Sequence, residues 1–176
     1  MDRGGDSSTG THAVMSTPLH VIFWRHAEAE DIDANAGAAA DLRRALTRQG
    51  RRDASRIADW IKAHVPKPWV VCTSPALRAQ QTAMALVDYP VEEARLSPER
   101  GVDDLMAVIA DHQDSHSALV LCGHQPTMGS AALRWLAGCE GPFSLRKGGL
   151  IWVAERQREG STTRILRACV SAELLD

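Results

Sequence analysis

Aromatic residues are scarce in this chain: one tyrosine, two phenylalanines and five tryptophans among 176 residues. Trp24, Trp60, Trp69, Trp135 and Trp152 read as core and cleft-wall residues, and their spacing offers no platform on which bases could stack. An excess of either charge is also lacking. The 20 basic residues stand against 22 acidic ones, a formal charge of −2, which argues against a nucleic-acid binder working through a broad basic field. No apolar run approaches the roughly 20 residues that a membrane-spanning helix needs. The polar, Gly/Ser/Thr-rich start lacks the charged-then-apolar pattern of a secretion signal. Cysteines are few, and Cys72, Cys122, Cys139 and Cys169 fall at none of the short spacings of zinc ribbons or redox motifs. They read as reduced, mostly buried small hydrophobes in a cytoplasmic protein.

What is present reads as strands alternating with helices. Leu19–Trp24 is a short apolar run rich in β-branched and aromatic residues, a buried strand. Asp31–Asp41, with Asn35, Gly37 and three alanines, reads as a loop with local helix. Thr47 is placed to cap a helix whose apolar face is Ala54, Ile57, Ala58 and Ile61. Pro66 and Pro68 close that helix and lead to a second strand, Trp69–Cys72. Thr73-Ser74-Pro75 opens another helix, with Ser or Thr as its cap. Val102–Ala110 is helical, Ala118–Cys122 is a third buried strand, and a helix after Pro126 runs through Leu136. Leu150–Ala154 and Ile165–Val170 read as two antiparallel edge strands. The pattern predicts one α/β domain over residues 19–176: three layers, with a mostly parallel sheet flanked by helices. A loose tail over residues 1–18 precedes it, with Met15 as a second candidate start.

In such sheets ligands sit at the carboxyl ends of the strands. Three of the expected strands end in polar residues: Arg25-His26, Thr73-Ser74 and Gly123-His124. Chance alone supplies roughly 0.7 Arg-His dipeptides in a chain of this composition, so position matters more than the pair. Each residue has a plain structural reading beside the functional one. His26 could be a strand-end histidine bonded to a carbonyl, and Arg78 an arginine paired with a carboxylate. Taken together, two histidines and two arginines at one sheet edge match the needs of phosphoryl transfer. Guanidinium forks bind the equatorial oxygens, a protonated imidazole adds a donor, and a neutral imidazole is a nucleophile.

Arg25-His26, the run Ser74-Pro75-Ala76-Leu77-Arg78-Ala79-Gln80-Gln81-Thr82 and Gly123-His124, in that order, resemble the histidine phosphatase superfamily. Arg25-His26-Ala27-Glu28-Ala29 and Arg44-Ala45-Leu46-Thr47-Arg48-Gln49-Gly50 resemble its small SixA-type branch. The resemblance implies a phosphoglycerate-mutase-like fold and a phosphatase without cofactor or metal. It implies His26 as the phosphorylated nucleophile, Arg25 and Arg78 as phosphate-binding arginines, and His124 as the second histidine on the phosphoryl oxygens. Arg44, Glu28 and Ser74 are further candidate substrate contacts, and Ala27 stands where glycine is commoner. The implied substrate is phosphohistidine on a protein, with a small phosphoester as the alternative enzyme reading and a silent phospho-ligand binder as the third. Neither nucleic acid nor membrane is an expected partner. Glu92, Glu93 and Glu99 lie where larger relatives carry a general acid, but none fits a pattern. A phosphohistidine substrate makes such an absence intelligible, because a protonated imidazole leaves without a strong dedicated acid.

Two features are set aside. Arg48, Arg52 and Arg56 recur every four residues and read as a solvated helix face, with docking of an acidic protein as the alternative. His112 and His116 are four apart, but a polar loop surrounds them rather than a metal-binding helix.

Overall fold

The computed structural model describes residues 18–33, 35–113, 118–158 and 161–175. The tail and second start expected before residue 18, and His116, lie outside the described residues. The first apolar run is strand β1 (His20–Arg25). A strand's period of two sends alternate side chains to opposite faces, and here both faces are covered. Val21 and Phe23 join one core cluster with Leu105, Ile109, Met128 and Trp135. Ile22 and Trp24 join the other, with Ile57, Ile61, Ala79 and Ala83. The helices behind those residues are α4 (Val102–Asp111) and α5 (Thr127–Ala137) on the first face. On the second they are α2 (Arg48–His64) and α3 (Leu77–Ala83). This is the expected three-layer arrangement.

The sheet has six strands in the order β3-β2-β4-β1-β5-β6. The strands β2 (Trp69–Thr73), β3 (Val91–Glu92) and β4 (Ala118–Gly123) run parallel to β1 or to one another. The last two, β5 (Leu150–Arg158) and β6 (Ser161–Val170), are antiparallel and close one side. The sheet is therefore mixed, with four parallel strands from the β3 edge to β1 and the antiparallel pair at the other edge.

Several local expectations are revised. The local helix expected in the Asp31–Asp41 loop is one turn, α1 (Ala38–Leu42), and runs one residue past it. Neither Ser74 nor Thr73 caps α3; Ala76 does, and its N–H bonds the Ser74 hydroxyl at 3.2 Å. β3 is too short and exposed to carry a sequence signal. The cysteines divide evenly: Cys72 and Cys122 are buried, whereas Cys139 and Cys169 are exposed, all four free. Among the described residues no helix is long and apolar enough to cross a membrane.

Candidate active site

Strand register brings distant residues together. Arg25 pairs with Gly123 across β1 and β4, and Thr73 pairs with Cys122 across β2 and β4. His26, Ser74 and His124 follow those positions directly and so emerge side by side at one sheet edge. The backbone continues the ladder one step further, with His26 N–H on the Gly123 carbonyl and Ser74 N–H on the Cys122 carbonyl, both at 3.0 Å. The two imidazole centroids are 5.0 Å apart, about the spacing of neighbouring strands. The space beside Gly123 is filled by the Met128 methyl rather than left for a ligand.

His26 is buried, with Nδ1 2.7 Å from the Ala27 carbonyl oxygen. A carbonyl only accepts, so Nδ1 carries the proton and Nε2 keeps its lone pair. The Arg78 Nε–H reaches that Nε2 at 3.3 Å. Arg78 is itself buried, and its other arms donate to Asp41: one to the carbonyl at 2.6 Å, one to Oδ2 at 2.9 Å. Asp41 also holds Arg44, 3.2 Å from its Oδ1. Arg25 donates to the Leu145 carbonyl at 2.6 Å.

The surrounding shell fixes this arrangement. The Ala27 N–H donates to Thr82 Oγ1 at 3.0 Å, and the Thr82 hydroxyl donates to the Arg78 carbonyl at 2.7 Å. One residue thereby ties the His26 loop to the helix carrying Arg78. Gly148 receives the Trp24 indole N–H on its carbonyl and gives its own N–H to His26 O. It does so at φ +75°, a region open to glycine at little cost. The Ala27 methyl packs into a small buried cluster with Leu46 and Ala54.

Of the buried side-chain nitrogens and oxygens among the described residues, four have no hydrogen-bond partner: Arg25 Nε, Arg44 Nε, His124 Nδ1 and Trp135 Nε1. The Trp135 ring lies under the Arg164 guanidinium, 3.6 Å from its centroid. The other three belong to the site. Buried polar groups are normally paired, so the unpartnered Arg25 Nε and His124 Nδ1 stand out, whereas Arg44 Nε has the Asp41 carboxylate 3.2 Å away.

Burial, followed by the Arg78, Arg25 and Arg44 charges, pushes the His26 imidazole down to about 4, although its bond to Ala27 works the other way. Burial, His26 and the same arginines push His124 down to about 3. The shift favours the neutral form of the second imidazole. Any hydrogen bond it gives comes from a single N–H.

The remaining sequence candidates divide. Arg44 joins the site through Asp41 and through its charge. Glu28 sits at the rim: it accepts from the Thr47 hydroxyl at 2.8 Å and lines a groove of about 520 Å³ with Arg25, Asp53, Arg146 and Lys147. Ser74 is fully buried, and its hydroxyl lies 2.9 Å from His124 Nε2. It contacts the histidine rather than open space. Among the candidate acids, Glu93 is clamped by Arg95, which donates to both carboxylate oxygens at 3.0 and 2.7 Å. Those bonds hold its carboxyl below the usual range. Glu92 accepts from the Gln80 amide at 2.7 Å, exposed on the surface. Among the described residues no three His, Cys, Asp or Glu side chains gather into a metal-binding group. Sequence reading missed Asp41, Thr82 and the Leu145–Gly149 turn. Asp41 and the turn act partly through backbone carbonyls, which leave no residue signature.

Residues 21–99 match the family model for the histidine phosphatase superfamily, branch 1. An uncharacterised protein of Mycobacterium leprae is 29% identical over 99 residues, 53% of this chain. The chain spans about three fifths (59%) of that relative's length. A protein histidine phosphatase SixA, solved with tungstate, superposes with a TM-score of 0.72 at 23% identity, over 90% of this chain and 100% of that one. The SixA structure from Nakamurella multipartitia gives 0.70 at 22%, over 87% and 95%. At such identities the structural likeness is one of fold, phosphoglycerate-mutase-like. The matched stretch, just under half of the chain, supplies Arg25, His26, Arg44 and Arg78, and the fold carries His124 to the same sheet edge: over these residues the chain is similar to the histidine phosphatase superfamily, branch 1.

Proposed function

We propose that this protein is a phosphatase that hydrolyses phosphohistidine on a protein through a covalent intermediate on His26. The observation that carries the reading is an unprotonated imidazole nitrogen, met by Arg78, beside further buried nitrogen donors. His26 Nε2 is unprotonated and receives the Arg78 Nε–H at 3.3 Å, Arg25 Nε and His124 Nδ1 are buried without a hydrogen-bond partner, and Arg44 Nε is ion-paired with Asp41 at 3.2 Å. In the first step Nε2 bonds to phosphorus while the bond from phosphorus to the substrate nitrogen breaks, and the departing imidazole takes up a proton from solvent. In the second, water oxygen bonds to phosphorus, the bond to Nε2 breaks, and a proton is released as inorganic phosphate leaves. The Nδ1 proton stays on the Ala27 carbonyl throughout. Arg25 and Arg78 neutralise the equatorial oxygens, the task a metal ion performs in other phosphatases.

The SixA-type substrate class is favoured over an alkyl phosphoester by what the glutamates do. A general acid must hold a proton near the working pH. Glu93 is kept ionised by Arg95, and Glu92 is engaged on the surface by Gln80. Neither of these two glutamates is placed to protonate an alkoxide leaving group, and an imidazole leaving group does not need a strong dedicated acid. The test compares a phosphohistidine-bearing protein with p-nitrophenyl phosphate. Higher kcat/KM on the phosphoprotein, lost in His26→Ala, is expected. Strong ester turnover without phosphohistidine activity would overturn the substrate class, and tight binding of phosphate analogues without any turnover would overturn the enzyme.

A further inference from the structure

We infer that Ser74 is a positioning residue that sets the tautomer of His124, so that the Nδ1 hydrogen is the one offered to the phosphoryl group. This rests on the phosphatase reading above only for its kinetic consequence. The tautomer itself follows from hydrogen-bond accounting. A serine hydroxyl has one hydrogen to give and two lone pairs to receive. The Ser74 oxygen receives the Ala76 N–H at 3.2 Å and lies 2.9 Å from His124 Nε2. It is completely buried, and among the described residues its hydroxyl meets no other hydrogen-bond partner.

Two arrangements are conceivable. If Nε2 carried the hydrogen and gave it to the serine oxygen, the serine hydrogen would be buried with nothing to receive it. His124 Nδ1 would then hold a bare lone pair, which repels a phosphoryl oxygen. If the serine gives its hydrogen to Nε2, the hydroxyl is satisfied in both roles and the hydrogen of the neutral ring must sit on Nδ1. That nitrogen is the buried one left without a partner, on a ring 5.0 Å from the nucleophile's. A buried unsatisfied donor costs free energy, and an anion held by Arg25 and Arg78 removes that cost. The neutrality of the ring agrees with its surroundings, since burial and the nearby arginines disfavour an imidazolium.

The backbone explains why serine can do this. Residues 73 and 74 leave β2 beside β4, and the turn into α3 fixes the hydroxyl through Ala76 before His124 meets it. His26 receives its orientation from a carbonyl, which can only accept. His124 receives its orientation from a hydroxyl acting as donor. The two neutral imidazoles are thereby set in opposite senses: Nε2 is bare on the nucleophile, and Nδ1 is protonated on its neighbour.

The experiment is nitrogen-15 NMR of the histidine rings in the full chain, assigned with His124→Gln. Wild type should show Nδ1–H for His124, and Ser74→Ala should shift the ring toward Nε2–H or a mixture. Parallel kinetics on a phosphohistidine substrate should show kcat/KM down roughly tenfold to a hundredfold, approaching the ~10²–10³-fold cost of removing an oxyanion donor outright. Ser74→Thr, which keeps the hydroxyl, should restore both readouts. A wild-type His124 protonated on Nε2 would overturn the proposal even if Ser74→Ala failed to fold. So would a tautomer unchanged by Ser74→Ala, which would leave the serine a purely structural role. A correct tautomer in a chain without turnover would instead sink the phosphatase reading and leave this one standing.

Discussion

At the residue scale, Arg78 shows how a structural contact and a functional one can be the same contact. Its charge is paired with Asp41, as a bland reading of any arginine would have it, yet the pairing pins the fork so that Nε meets His26 Nε2. His26 likewise bonds a carbonyl, and that bond is what frees its other nitrogen. Charge alone cannot replace such geometry. Arg78→Lys keeps the cation but presents no fork, so kcat/KM should fall about 10²-fold, a loss of roughly 2.7 kcal/mol in transition-state stabilisation. Steady-state kinetics on a phosphohistidine substrate would measure it, and a change of less than threefold would contradict the role given to the fork. Arg25, His26 and His124 were legible in the sequence because each ends or follows a buried strand, and Arg78 because it opens the helix after another. Asp41 was not, since nothing in a loop-like stretch with alanines marks one aspartate as the partner of an arginine 37 positions later.

At the element scale, the Leu46–Gly50 stretch has a physical reason. Thr47 caps α2, with its oxygen receiving Gly50 N–H at 2.9 Å and its hydrogen given to Glu28 at 2.8 Å. Gly50 lets the Glu28 carbonyl lie against the helix where a Cβ would collide with it. Together they press the loop after His26 onto the start of α2. Thr47→Ala should cost about 1 kcal/mol, the usual value of a lost cap, read from the urea midpoint. Gly50→Ala should cost more and also lower activity, because the relief must come from the catalytic loop. A stable Gly50→Ala variant with unaltered kinetics would show that the loop has slack. The cap on α2 was readable because Thr followed by a periodic apolar face is a strong signal. The start of α3 was misplaced by two to three residues, because Ser74 uses its hydroxyl on His124 and Ala76 rather than as a helix cap. β5 and β6 run longer than their apolar cores, since pairing in a hairpin extends strands through polar positions such as Thr162 and Thr163.

At the scale of the whole molecule, the site is a store of unsatisfied interactions inside an otherwise closed α/β core, and this has consequences for stability. Both imidazoles titrate below the ordinary histidine value of 6.5. On acidification the unfolded chain therefore binds protons before the folded one does. Their contribution is intact above about pH 6.5 and is lost as pH falls toward about 4 for His26 and about 3 for His124, with a slope of at most about 1.4 kcal/mol per pH unit for each histidine. Urea unfolding at a series of pH values should show that slope, flattened in a variant lacking both His26 and His124; an equally steep variant would place the effect elsewhere. An oxyanion such as tungstate should raise the melting temperature in proportion to the logarithm of its excess over Kd, and Arg25→Ala should abolish the shift.

The most direct test is to stop the reaction within milliseconds, digest the labelled protein under alkaline conditions and identify the nitrogen bearing phosphorus. The account predicts phosphate on Nε2 of His26 and on no other residue. Phosphate on Nδ1, on His124, or on nothing at all during active turnover would contradict it.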